Sequence, residues 1–308
     1  MKILENIKPS NELSIFKFRL TGIILLTIVC SALCGPALYN LLDNPVRSEY
    51  YSHILYIPLI SAYLFFLKRD SIKRNAQYSG KTGLAVTVAG VVLYCISWVM
   101  QGKTSQNDHT SLVMMSTLII WAGGFLILYG KRVFRYAAFP VIFLLFMVPF
   151  PDSIMESAIH ILRVGSAEAA NGIFTLAGIP FERTGFSFHF STLSVEVAKE
   201  CSGIRSFIAL FITSVLAGDL FLRSTSAKCL LLLFVAPIAM FKNGIRIATL
   251  SLMGNYIDRR VLESDLHRKG GVLFFVIALI LVGMIIGFLK KTEGRYFMKQ
   301  KKHQQLQQ

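Results

Sequence analysis

Long apolar runs are the feature that most constrains how this chain can fold. About 18–20 apolar residues suffice for a helix to cross the hydrocarbon core of a bilayer, and runs near that length recur along the whole sequence. Because lipid offers no hydrogen-bond partners, such runs fold as helices that satisfy their own backbone groups. The pattern predicts an all-α integral membrane protein with about eight spanning helices.

Two of these runs are short. Residues 52–67 and 137–150 are expected to form tilted or partly re-entrant helices.

The composition, 54% hydrophobic and 16% charged, agrees with the membrane class, since soluble domains carry about 25% charged residues. The predicted spans are residues 20–42, 52–67, 83–100, 112–129, 137–150, 203–222, 227–253 and 271–289.

Basic residues predict the orientation of the spans. Lysine and arginine cluster in the head, in the tail and in the loops after spans two, four and six, which share one side if there are eight spans. The positive-inside rule makes that side the cytoplasm, with both termini inside. The net charge of +15 is therefore assigned to topology. Nucleic-acid binding is not expected, because no binding motif accompanies the charge.

The longest segment predicted outside the membrane is 151–202. Pro149 and Pro151 end span five, because proline cannot continue a helix. Residues 154–176 show helical apolar spacing with interspersed charges, which predicts an interfacial amphipathic helix. Residues 186–197 alternate in polarity, which predicts a short β-hairpin before span six. We expect three regions, namely N-terminal spans over residues 1–136, a catalytic core over 137–290 and a basic cytoplasmic tail over 291–308.

Among the five cysteines, Cys201 has the most reactive predicted surroundings. It lies at the outer N-terminus of span six, where free amides and partial positive charge favour a thiolate, the reactive form. Arg205 follows four residues later on the same helix face. From position alone, Cys201 could equally be a small apolar residue at a helix start. The odd count and the spacing of the cysteines favour neither a disulfide framework nor a metal site, and no cofactor is expected.

Two other residues stand out for their charge. Arg246 lies inside the apolar run 227–253, where an arginine costs about 2.5–3.5 kcal/mol on insertion and marks a functional site by default. The alternative is an arginine that snorkels to the interface. His267 lies in the predicted outside loop before span eight, and histidine transfers protons near neutral pH. The alternative is an interfacial histidine without a catalytic role. With Cys201, these residues supply the nucleophile, charge stabiliser and proton carrier of cysteine catalysis.

These residues fall in stretches that resemble the exosortase/archaeosortase family. The likeness covers residues 139–287 and is most specific at Cys-Ser-Gly-x-Arg-Ser on the head of a span. The matching stretches are Val-Ala-Lys-Glu-Cys-Ser-Gly-Ile-Arg-Ser at 197–206, Asn-Gly-Ile-Arg-Ile at 243–247, His267 with the glycines after it, Phe-Pro at 139–140 and Pro-Phe-Pro at 149–151.

The resemblance implies specific roles for these residues. Cys201 would be the nucleophile, Arg246 would stabilise the oxyanion or orient the thiolate, and His267 would act as acid and base. The supporting residues implied by the matching stretches are Arg205, Asn243 and Ser202.

The resemblance also implies a function, that of a membrane-embedded sorting peptidase or transpeptidase. Such proteins recognise exported proteins by a C-terminal signal, which joins a short motif such as Pro-Glu-Pro to a membrane helix and a basic cluster. The expected partners are those signal-bearing membrane proteins, the lipid bilayer and a glycan or lipid acceptor, often in connection with exopolysaccharide production. The expected location is the bacterial inner membrane, with the site facing the periplasm or exterior.

Two other functions are compatible with the sequence. A polytopic transporter could use Arg246 to bind an anionic substrate within the membrane, although the internal repeats common in transporters are not visible. A non-catalytic assembly protein for exopolysaccharide export could retain a degenerate site. Processing that depends on Cys201 distinguishes the peptidase from both.

Overall fold

A computed structural model describes residues 9–43, 50–258 and 271–306 of the chain. Helices dominate it, as long apolar segments require. The helices are α1 (Pro9–Asp43), α2 (Ile57–Leu67), α3 (Arg69–Asn75), α4 (Gly80–Met100), α5 (Gln106–Tyr136), α6 (Ala138–Phe143), α7 (Asp152–Leu176), α8 (Ile204–Phe221), α9 (Thr225–Tyr256) and α10 (Gly271–Leu306). The strands are β1 (Glu182–Thr184), β2 (Ser187–His189) and β3 (Ser194–Glu196), and 3-10 turns occupy Ser52–Leu55, Leu144–Met147 and Lys199–Cys201.

The apolar helices confirm the predicted membrane class. Among the described residues, six helices, in α1, α4, α5, α8, α9 and α10, are long and apolar enough to cross a membrane. The number rises to seven if Ala138–Met147 and Asp152–Leu176 form one broken span. The difference from eight lies in the two short runs, because α2 has 11 residues and α6 has 6, fewer than an upright crossing needs.

The chain divides into two compact units, Met1–Asp152 and Ser153–Gln308. In the first unit, the rings of Phe65, Trp121, Phe125 and Tyr129 pack in series, with neighbouring centroids 4.9 to 6.0 Å apart. Because α2 supplies the first ring and α5 the other three, this stack holds the two helices together. The catalytic core predicted to begin at residue 137 concerns function and stays a prediction.

The second unit contains a bundle of α8, α9 and α10. Leu210, Leu231 and Val282 are at most 3% exposed in its core. Large apolar side chains on the other faces are exposed, including Leu233 at 70% and Ile280 at 57%. Apolar residues on both the inner and the outer faces of a bundle are typical of helices surrounded by lipid.

A small antiparallel sheet in the second unit packs on helices α7 and α9, in the strand order β1-β2-β3. The predicted amphipathic helix and hairpin correspond to α7 and to β2–β3, whereas β1 was missed because its three residues carry no apolar alternation. Phe188 of β2 is fully buried and lies edge-on to Phe174 of α7 at 5.3 Å between centroids. The sheet is therefore anchored by aromatic packing directly upstream of Cys201.

Candidate active site

Cys201 lies in a tight turn before α8. The 3-10 turn that contains it is followed by Gly203, whose φ of +81° is left-handed. That conformation favours glycine, and a β-carbon there would lie 3.0 Å from Cγ of Asn243. Cys201 has a free, half-buried thiol and lies three residues before Ile204, the first residue of α8. This position is at the start of the predicted sixth span.

Asn243 joins three elements around this turn. Its Nδ2 donates to the Cys201 carbonyl at 2.8 Å and to Oγ of Ser166 on α7 at 3.1 Å. The side chain is only 1% exposed. The next residue, Gly244, brings α9 against α7 so closely that a β-carbon would lie 2.5 Å from that of Ala169. Asn243 therefore fixes the main chain that carries the cysteine.

Lys242 supports the same turn through a hydrogen bond to Ser206. Its Nζ donates to Oγ of Ser206 at 2.6 Å, and that hydroxyl donates to the Gly203 carbonyl at 2.8 Å. Lys242 is 3% exposed within a helix long and apolar enough to span a membrane. Lys242 is not among the residues predicted from the sequence, although the cost of a cation within a span applies to a lysine as it does to Arg246.

Cys201 and Arg246 line one pocket. Residues Val195–Val197 form one wall, and a face of α9 that includes Arg246 and Ser251 forms the other, around a narrow space of about 40 Å³. A guanidinium stays protonated in proteins. Its charge beside the pocket can therefore stabilise a thiolate or the oxyanion formed when a thiolate attacks a carbonyl.

Several buried polar atoms around the pocket lack hydrogen-bond partners among the described residues. They are Oγ of Ser251, Oγ of Ser202 and Oδ1 of Asn243, in side chains at most 1% exposed. An unsatisfied buried polar atom costs about 1–3 kcal/mol, which an ordered water, an ion or a ligand can offset. Ser202 belongs to the matching stretch of the sequence, whereas nothing in the sequence distinguished Ser251.

Arg163 of α7 fixes the strand that leads to the cysteine. Its Nε donates to the Val197 carbonyl, and its NH2 group donates to Glu196 at 2.9 Å. The guanidinium also lies 3.8 Å above the centroid of the Phe186 ring. These contacts immobilise the end of β3 and Val197, which lies four residues before Cys201.

The structure brings two of the predicted catalytic residues together, Cys201 and Arg246. Arg205 is exposed on the first turn of α8 and is not part of the pocket lining. His267 lies outside the described residues, so its role stays a prediction. Within the described ranges, no group of three or more histidine, cysteine or acidic residues could hold a metal ion.

Comparison with known proteins gives a family match. A family model described as transmembrane exosortase matches residues 44–284, which is more than half of the chain. The matched range includes Cys201, Arg246 and His267. No curated protein and no solved structure matches the chain.

Proposed function

This chain belongs to the transmembrane exosortase family, and from that premise we propose that it is a membrane-embedded sorting peptidase or transpeptidase with Cys201 as nucleophile. The observation that carries the proposal is the pocket shared by Cys201 and Arg246. Arg246 is the neighbour that favours the thiolate of Cys201, which is the nucleophilic form.

The proposed reaction proceeds through a thioester. The Cys201 thiolate attacks the carbonyl carbon of the scissile peptide bond, and Arg246 stabilises the resulting oxyanion. The C–N bond then breaks as the leaving nitrogen takes a proton, for which His267 is the proposed donor. Water or an acceptor amine or hydroxyl then attacks the thioester, which regenerates the thiolate and gives hydrolysis or transfer.

We further propose the substrate and the side of the membrane. The substrate is an exported membrane protein whose C-terminal signal contains a motif of the Pro-Glu-Pro type. We place the chain in the bacterial inner membrane, and the distribution of basic residues supports cytoplasmic termini. The active site then faces the periplasm or exterior, where an acceptor glycan or lipid is available.

Replacement of the nucleophile tests the proposal. We expect Cys201→Ala and Cys201→Ser to abolish processing of a reporter protein that carries a Pro-Glu-Pro signal, while both variants still insert into the membrane. The matched control is Cys229→Ala, because Cys229 is an exposed cysteine of α9 outside the pocket lining. Normal processing by Cys201→Ala, measured by gel shift and by the mass of the product, would overturn the catalytic assignment.

A further inference from the structure

Among the described residues, the sheet next to Cys201 has an open edge, because the strand order β1-β2-β3 leaves β3 with a strand neighbour on one side only. The Val197 N–H donates to the Phe186 carbonyl at 3.0 Å, and bonded and non-bonded pairs alternate along antiparallel strands. The backbone groups of Ser194 and Glu196 therefore point away from β2. The Glu196 carbonyl accepts from Ala198 at 3.0 Å, whereas no described residue pairs with the other edge groups.

This edge is held in place at both ends. At the start of β3, Oγ1 of Thr192 lies 2.6 Å from Oδ1 of Asn255, near the end of α9. At the far end, Arg163 bonds to Glu196 and to the Val197 carbonyl. A strand that is already fixed loses little conformational entropy when a partner pairs with it. The edge is therefore preorganised to accept another strand.

The pocket that contains Cys201 runs along this edge. Residues Val195–Val197 face a side of α9 that includes Arg246 and Ser251. Asn243 contacts the cysteine turn, and Asn255 contacts the start of β3. Along α9 the lining runs from Arg246 to Ser251, which is about 7.5 Å of helix. Because an extended chain rises ~3.3 Å per residue, this length matches about two residues of peptide, opposite the three residues of β3.

We propose that the groove between β3 and α9 binds an extended peptide segment of the substrate as a fourth strand of the sheet. This inference rests on the proposed cysteine peptidase function. The peptide backbone bonds to Ser194 and Glu196, and the scissile carbonyl is thereby delivered to Cys201. The buried hydroxyl of Ser251, which has no partner among the described residues, bonds to the peptide from the α9 side. Alternate peptide side chains then face α9.

A backbone substitution tests the proposed strand pairing. Glu196→Pro and Glu196→Ala both remove the carboxylate that bonds to Arg163, but only the proline removes the edge-facing N–H. Proline is tolerated at edge positions whose N–H does not pair within the sheet. We expect kcat/KM for the Pro-Glu-Pro reporter to be about tenfold lower for Glu196→Pro than for Glu196→Ala. Equal values in two variants that insert and melt alike would overturn the pairing.

Cross-linking tests the same proposal without catalysis. The full chain carrying Cys201→Ala and Ser194→Cys is mixed with synthetic peptides that have a central Pro-Glu-Pro and a single cysteine moved along alanine flanks. We expect disulfides with Ser194→Cys at every second peptide position, because side chains alternate along a strand. The control Leu176→Cys, at a position 91% exposed at the end of α7, should give no such alternation. Uniform or absent cross-linking at Ser194→Cys would overturn the proposal.

The two proposals fail in different ways. Processing that survives Cys201→Ala removes the catalytic function. If processing depends on Cys201 but Glu196→Pro and Glu196→Ala react at equal rates and cross-linking does not alternate, the catalytic function stands. Only the proposal of an added strand is then contradicted.

Discussion

Each unit of the chain has a pocket lined by cysteine, and the surroundings of the thiols differ. In the first unit, Cys30 and Cys34 line a pocket whose described residues are apolar or hydroxyl-bearing, with no charged side chain among them. In the second unit, Cys201 shares its pocket with Arg246 and Glu196. A cysteine therefore shares its pocket with charged side chains in the second unit, whereas the described lining of the first pocket contains none.

The two pockets also differ in whether their hydroxyl groups have hydrogen-bond partners. In the first, Oγ of Ser61 donates to the Pro140 carbonyl and Oγ1 of Thr117 to the Val113 carbonyl, each at 2.8 Å. In the second, the hydroxyl of Ser251 has no partner among the described residues. A polar group that is satisfied within its own unit stabilises the fold, whereas a buried group without a partner has capacity to bind a ligand. The comparison indicates that the second pocket is the better candidate for cysteine chemistry, because its thiol lies beside a cation and a buried hydroxyl that has no partner among the described residues.

After loss of the nucleophile itself, removal of the charge from the second pocket has the largest expected effect. Arg246→Gln should lower kcat for the Pro-Glu-Pro reporter by about 10²–10³, because one stabilising donor to an oxyanion is lost. Arg246→Lys should retain part of the activity, since it keeps the charge but not the planar geometry of the guanidinium. The matched control is Arg223→Gln, beyond the opposite end of α8. A loss of less than tenfold in Arg246→Gln, in single-turnover assays, would contradict the role of this charge.

Two buried asparagines, one in each unit, allow a second comparison between the units. Nδ2 of Asn107 in the first unit donates to the Phe150 carbonyl at 2.7 Å, and Nδ2 of Asn243 in the second donates to the Cys201 carbonyl at 2.8 Å. Both side chains are at most 2% exposed. Replacement of either by alanine should cost about 1–3 kcal/mol of stability. Only Asn243→Ala should also lower turnover, by about tenfold or more, because the cysteine turn is displaced.

Thermal unfolding in detergent and turnover per folded molecule separate these two effects. If Asn107→Ala and Asn243→Ala lowered turnover equally, Asn243 would be a structural residue like its counterpart. If Asn243→Ala lowered stability alone, its bond to the Cys201 carbonyl would not position the nucleophile.

Much of this molecule could be predicted from the sequence, because membranes impose strong constraints. Apolar length gave the helices, and the cost of a charge in lipid singled out Arg246. The short strand β1 and the partner of Asn243 on α7 could not be predicted, because both depend on contacts between distant segments. Ser251 could not be identified either, since one serine in an apolar helix is ordinary until its burial and its missing partner are known.

The smallest expected effect concerns the thiol of the first pocket. Cys34 is 5% exposed, and its Sγ lies 3.6 Å from the Ser31 carbonyl, a weak contact. Cys34→Ala removes one sulfur atom and should lower stability by at most about 1 kcal/mol. Turnover should not change, because no charged side chain lines that pocket. Melting and turnover of Cys34→Ala, measured beside Cys201→Ala, check both points. Lost turnover with unchanged melting in Cys34→Ala would mean that a thiol can serve the reaction without a neighbouring charge, which would contradict the distinction drawn between the two pockets.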